Sequence, residues 1–225
     1  MKAGDSILKK LVAEFLGTAF LLAIVVGSGI MAQNLASGNI AIALLANAIA
    51  TGAGLIALIL MFGNVSGAHF NPVVTLSEAW QKNLPAKLIF PYIVAQIIGA
   101  FAGVAAAHGM FDLPVFLAST HVRTGVSQWW SEFIATFGLI AVIISTSRTR
   151  PATTPFAVAA YITAAYWFTS STSFANPAVS LARAMTDTFA GIRPIDAPGF
   201  ILAQLVGAAC ATVLFNWLYP KSSSH

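Results

Sequence analysis

The sequence predicts an all-α membrane protein of six transmembrane helices plus two re-entrant half-helices, arranged as an inverted 3+3 repeat. Three observations predict it. Of 225 residues, 58% are hydrophobic and 8% are charged, against roughly 25% charged in a soluble domain. Six apolar segments are long enough to cross a bilayer. An Asn-Pro stretch occurs twice, as Ser66-Gly-Ala-His-Phe-Asn-Pro-Val-Val-Thr75 and as Thr172-Ser-Phe-Ala-Asn-Pro-Ala-Val-Ser180.

The first span, Leu8–Met31, lacks a small-residue cleavage site close behind it, so it reads as an uncleaved helix and not a signal peptide. Ile40–Phe62 is the second. Asn71 and Pro72 then open a short helical segment, Val73–Trp80, because asparagine is a preferred N-cap and proline a preferred first helical residue. About ten residues at 1.5 Å each give roughly 15 Å, half the hydrocarbon thickness. Such a half-helix is tolerated in a membrane only inside protein or along a water-filled cavity. Ile89–Gly109 is the third span. The second half supplies Trp129–Ser147, Phe156–Ser170 and Pro198–Tyr219, with its own half-helix, Ala178–Met185, opened by Asn176 and Pro177. Residues 1–225 thus read as one channel domain with repeats over about 8–109 and 129–219, and 221–225 as a tail.

Further pairs tie the halves together. Ala13-Glu-Phe-Leu-Gly-Thr18 matches Ser131-Glu-Phe-Ile-Ala-Thr136, and Gln96-Ile-Ile-Gly-Ala100 matches Gln204-Leu-Val-Gly-Ala208. Three spans per half is an odd number, so the second half must be inverted. The half-helices then enter from opposite faces and meet N-terminus to N-terminus near the midplane.

Charge placement sets the orientation. Lys2, Lys9, Lys10, Lys82, Lys87, Arg148, Arg150 and Lys221 fall on one side and Arg123, Arg183 and Arg193 on the other, eight against three, which puts both termini in the cytoplasm. The net charge of +4 forms no basic stripe, so no nucleic-acid partner is expected. The lone Cys210 permits no disulfide within the chain and reads as a small buried residue. Trp80, Trp129, Trp130, Trp217 and Tyr219 sit at span ends, as interface anchors do in a lipid bilayer. Gly52-Ala-Gly54 and Gly99-Ala-Phe-Ala-Gly103 suit close helix packing. There is no nucleophile–base pair, zinc-ligand spacing or phosphate loop, so no enzyme, cofactor or metal site is expected.

Paired asparagines in inverted positions point to permeation. Each amide oxygen can cap its helix and leave the N–H₂ to donate to a passing solute. The positive helix ends beside them oppose cations and protons. Glu14 and Glu132 are carboxylates within spans, so they are functional candidates by default.

Six spans, two Asn-Pro half-helices, the paired Glu-x-x-x-Thr and the Ser-Gly-x-His-Phe-Asn-Pro stretch resemble the aquaporin (major intrinsic protein) family over essentially the whole chain. The resemblance implies a homotetramer with one pore per protomer. It implies that Glu14 and Glu132 accept hydrogen bonds from the re-entrant loops, a role favoured here over a proton relay. It also implies that His69 and the carbonyls of Gly67, Ala68, His69, Ser173, Phe174 and Ala175 line the pore. The first motif reads Asn-Pro-Val and not Asn-Pro-Ala, so Val73 adds bulk behind Asn71 and Pro72, where the second copy has Ala178 behind Asn176 and Pro177.

The outer selectivity filter of water-conducting relatives combines an aromatic, a histidine, a small residue and an arginine. Counting by the family's offsets gives Thr51, Ala164, Ser173 and Val179, with no aromatic, histidine or arginine left. That set predicts a wide opening without its own positive charge. Val179 together with Ala-Arg-Ala-Met-Thr-Asp-Thr-Phe-Ala-Gly-Ile192 resembles bacterial aquaporins linked to arsenic handling, which implies the bacterial inner membrane and solutes such as undissociated arsenite and methylated arsenicals. A glycerol and water facilitator is the alternative. An ion-coupled transporter is disfavoured because the spans hold no acidic cluster. Arg183 lies one turn beyond Val179, either lining the outer vestibule or pairing with Asp187 or lipid headgroups, and Glu78 stands at the matching offset from Asn71.

Overall fold

The computed structural model describes residues 3–220, with side chains from residue 6 onward. The predicted 221–225 tail and two of the charges used for orientation, Lys2 and Lys221, lie outside the described residues. The chain forms α1 (Ala3–Leu35), α2 (Ile40–Ser66), α3 (Pro72–Trp80), α4 (Ile89–Met110), α5 (Val126–Thr149), α6 (Thr154–Phe168), α7 (Pro177–Arg183) and α8 (Ala197–Leu218). Single 3₁₀ turns lead into α4 and α6. Each half supplies three longer helices and one half-helix, α1, α2 and α4 with α3, and α5, α6 and α8 with α7, and each half-helix packs between α4 and α8.

Five of the described helices are long and apolar enough to cross a membrane: α1, α2, α4 with its leading turn, α5 and α8. The sixth crossing, expected over Phe156–Ser170, has the expected length but starts and ends two residues earlier, and it is shorter than these five. It is α6, of 15 residues against 27 in α2. Thr169 turns extended (φ −108°, ψ 141°) and carries the chain inward. The second half-helix is also shorter than Ala178–Met185. The Ala184 and Met185 amides tighten to 3₁₀-type bonds, while their carbonyls accept from Ser119 and Leu117 of the α4–α5 loop at 3.0 Å each. That loop captures groups that would otherwise extend the helix.

Close packing depends on two matched glycines. A Cβ on Gly99 would collide with the Phe15 carbonyl, and one on Gly207 with the Phe133 carbonyl. Small residues let the α1–α4 and α5–α8 backbones approach, as membrane helices without a hydrophobic drive between them require. The outer surface is apolar, with Phe20, Ile49, Phe90 and Leu202 exposed to lipid. Cys210, expected to be buried, is exposed on this surface as well. In a bilayer a small apolar side chain has no reason to avoid the outside.

Candidate functional site

The two re-entrant loops are built alike. Glu14 accepts from Ser66 Oγ (2.6 Å), the His69 and Phe70 amides (3.0 and 2.7 Å) and Gln96 Nε2 (2.8 Å). Glu132 accepts from Ser171 Oγ (2.6 Å), the Phe174 and Ala175 amides (both 2.8 Å) and Gln204 Nε2 (2.6 Å). Each glutamine also donates onward to the half-helix, Gln96 to Thr75 Oγ1 and Gln204 to Ser180 Oγ. A carboxylate with four donors is satisfied inside the membrane. Gly67, Ala68 and Phe70 have positive φ, and so do Thr172, Ser173 and Ala175. This repeated left-handed pattern keeps successive carbonyls off any helical ladder and turns the loop backbone toward the cavity.

The loops cap the half-helices and each other. Asn71 Oδ1 accepts from the Val73 amide at 3.0 Å, and Asn176 Oδ1 from Ala178 and Val179 at 3.0 and 3.3 Å. Asn71 Nδ2 donates to the Ala175 carbonyl and Asn176 Nδ2 to the Phe70 carbonyl, both at 2.8 Å. These crossed bonds bring the two N-termini together. One N–H of each amide is spent on the opposite loop and the other remains for a solute. Pro72, Val73, Pro177 and Ala178 are buried behind the caps, and Val73 packs with Ile140 and Ile144.

A cavity of about 240 Å³ runs past both asparagines. One wall is apolar, from Leu21, Val25, Leu55, Ile59, Leu139, Ile143, Val158 and Ile162. The other carries Gly67, Ala68, His69 and Phe70 from the first loop and Ser173, Phe174 and Ala175 from the second. All six loop residues expected to line the pore do so, joined by Phe70. The Ala175 carbonyl accepts from Asn71.

At the outer end, Thr51, Ser173 and Val179 line the cavity, but Ala164 does not. It is exposed on the outer face of α6, and Tyr166 lines the cavity in its place, its hydroxyl 3.1 Å from Thr51 Oγ1. Ungapped counting landed two residues short of Tyr166. Its signal is the four-residue spacing Thr154, Val158, Ile162, Tyr166 along one helix face, parallel to Thr51, Leu55, Ile59. An aromatic is therefore present, which corrects the expectation of four small or medium side chains. Ser173 Oγ is buried with no protein partner.

Arg183 lines the same cavity and is 2% exposed. Its guanidinium lies 3.4 Å from the Phe174 ring centroid, and its Nε donates to the Ala190 carbonyl. Asp187, the alternative partner, instead accepts from the Thr120 amide and hydroxyl at 2.8 and 2.9 Å. Those bonds hold its carboxyl below the usual carboxylate range. A second guanidinium, read from the sequence only as an orientation charge, reaches the same ring: Arg123 of the α4–α5 loop sits 5.2 Å from it and donates to the Gly191 and Ser171 carbonyls. At the inner end Glu78 lines the cavity and accepts from Asn83 at 2.7 Å, while His69 meets Thr75 Oγ1 at 3.1 Å. Among the described residues no three His, Cys, Asp or Glu side chains converge as a metal site.

Comparison with known proteins follows this geometry. Residues 2–170 match the family described as Major intrinsic protein. Aquaglyceroporin AqpS of Rhizobium meliloti is 55% identical over 210 residues, covering 93% of this chain and 90% of that protein. Aquaporin AqpM of Methanothermobacter marburgensis is 31% identical over 95% of this chain and 98% of its own. The crystal structure of the aquaglyceroporin from Plasmodium falciparum shares the fold, with a TM-score of 0.74 at 22% identity over 93% of this chain and 96% of that one.

Proposed function

This chain belongs to the major intrinsic protein family, as a multi-pass membrane channel and not an enzyme, and from that premise we propose that it passes small uncharged solutes down their gradients. The observation that carries the reading is the pair of asparagine amides facing one cavity opposite an apolar wall. A solute bearing oxygens loses its water on the apolar side and recovers hydrogen bonds from the amides and loop carbonyls. An ion recovers far less of its hydration there. Nothing in the cavity offers the acidic cluster an ion-coupled transporter would use, because Glu14 and Glu132 are consumed by the loops.

The solutes we assign are small polyols and water, with trivalent metalloids, undissociated arsenite and methylated arsenicals, as the specific class. Val179 at the level where water-selective relatives carry arginine supports this assignment. A relative named as an aquaglyceroporin supports the polyols. Tyr166 favours a second reading, a glycerol and water facilitator without a metalloid role, because its ring occupies space that Ala164 would have left open. The assembly we assign is a homotetramer in the bacterial inner membrane with both termini cytoplasmic, on the charge bias and the family resemblance. Stopped-flow light scattering on proteoliposomes, comparing water, glycerol and trivalent arsenite, tests the proposal. Fast glycerol and arsenite entry without ion gradients is expected. Glycerol and water flux without arsenite entry would install the second reading, and water flux alone would refute both.

A further inference from the structure

Among relatives with an arginine at the Val179 level, size and charge are selected by one ring of side chains. We propose that this chain divides the two tasks: Thr51, Tyr166 and Val179 set the size limit, and Arg183, one helical turn farther out, is the residue that excludes cations. The inference rests on the channel reading above and goes beyond it by naming the charge-selecting residue.

Arg183 is four residues beyond Val179 on the same face of the half-helix, about 6 Å farther along it. It reaches the same cavity as Val179 and Ser173. Its Nε donates to the Ala190 carbonyl. No ion pair joins it to a carboxylate among the described residues, so no direct partner neutralises the guanidinium where it meets the cavity. Phe174 holds it from below, with the ring face against the cation and the ring edge on Phe200 at a centroid distance of 5.1 Å. Desolvated contact with an aromatic face favours a guanidinium while leaving its net charge intact. Arg123 lies farther from the ring and is only half-buried, so it adds to the same field with a smaller share. A positive charge in a confined, weakly screened passage opposes any cation and leaves a neutral solute unaffected. The Thr51–Tyr166 hydroxyl pair and Val179 carry no charge and act by volume alone.

The test is a double dissociation in proteoliposomes. Proton and methylammonium leak and erythritol entry are each normalised to glycerol entry in the same vesicles. Arg183→Gln removes the charge but keeps an amide that can donate to Ala190, and Arg183→Lys keeps the charge. Arg183→Gln is expected to raise the normalised leak about tenfold, Arg183→Lys to hold it within about twofold of wild type, and Val179→Leu to lower the erythritol ratio several-fold with no gain in leak. Should Arg183→Gln fail to assemble, Arg183→Met, which keeps an apolar stem on Phe174, carries the same expectation. A tight Arg183→Gln or Arg183→Met channel that still conducts glycerol would overturn the inference. So would equal leak through Arg183→Gln and Arg183→Lys, which would assign the effect to the lost Nε bond. Wild-type vesicles that pass no glycerol would instead refute the channel reading.

Discussion

Seven residues beyond its asparagine, each half-helix presents a charge to the cavity, Glu78 at one mouth and Arg183 at the other. The surroundings diverge in the same way. His69 packs on Tyr92 at 5.3 Å and bonds Thr75, whereas its counterpart Phe174 packs on Phe200, the counterpart of Tyr92, and carries two guanidiniums. Beneath these unlike mouths, the carboxylate, serine, glutamine and crossed asparagine bonds repeat partner for partner. The backbone problem is the same in both halves, since a loop in the membrane must have its amides satisfied. The mouths meet different compartments and are free to differ. The scaffold is therefore symmetric and the selectivity is not.

The largest effect should come from the shared scaffold. Glu14→Ala and Glu132→Ala each strip four donors of their acceptor. At about 1–3 kcal/mol for a buried group left unpaired, each variant should lose roughly 3 kcal/mol or more. Thermal unfolding in detergent should show matching losses in the two variants. A large loss from one and little from the other would break the equivalence of the halves.

The next effect tests the asymmetry. Val179→Arg places a second guanidinium four residues before Arg183 in a space that Tyr166 already narrows. Glycerol entry should fall about tenfold, equivalent to roughly 1.4 kcal/mol, while water entry changes much less. Equal loss of both, or of neither, would show that the Val179 level does not set the size limit.

The scaffold was legible in the sequence because it is written twice. Asn-Pro, Glu-x-x-x-Thr and Gln-x-x-Gly recur at matching places, and the asparagine, glutamate and glutamine of each supply bonds the loops need. The outer mouth was less legible, and Tyr166 shows why. Its place on the cavity face depends on the register of α6, and a count carried over without gaps landed two residues away at Ala164. The approach of Arg123 to the Phe174 ring was hidden more completely, because it comes from a connecting loop with no counterpart in the first half. Arg183 was placed on the correct helix face by spacing alone, but its seat on Phe174 needed coordinates.

A smaller effect separates the two loops at a single backbone site. Gly67 has φ 94° and its counterpart Thr172 has φ 61°, so the first loop uses glycine where the second forces a β-branched residue into the left-handed region. Gly67→Ala should cost about 1 kcal/mol, with an added push on the His69 ring, whose Nε2 would stand 3.0 Å from the new Cβ. Thr172→Gly should recover up to about 1 kcal/mol of that strain, less the glycine entropy of the unfolded chain. Chemical denaturation in detergent should give the two changes opposite signs. Destabilisation by Thr172→Gly would mean that its methyl and hydroxyl contribute packing that the strain argument ignores.

The smallest effect concerns the loop found only on the outer side. Asp187 is kept below its ordinary value chiefly by the Thr120 amide and hydroxyl, with His121 adding at 3.4 Å. A carboxyl whose folded value is depressed contributes its stabilisation in full above the unfolded value and loses it as pH falls through the folded one. The tie between the α4–α5 loop and the segment after α7 should thus be constant near neutrality and weaken only in strong acid. Because Asp187 is half-buried in a surface loop, the change should be local and leave the fold intact. Hydrogen exchange at the Thr120 amide should quicken in Asp187→Asn at pH 7 by a few-fold, while the amides of Phe70 and Ala175, held by Glu14 and Glu132, stay protected. Faster exchange at Phe70 and Ala175 as well would show that the outer loop and the buried scaffold open together, and the separation between a fixed core and adaptable mouths would no longer stand.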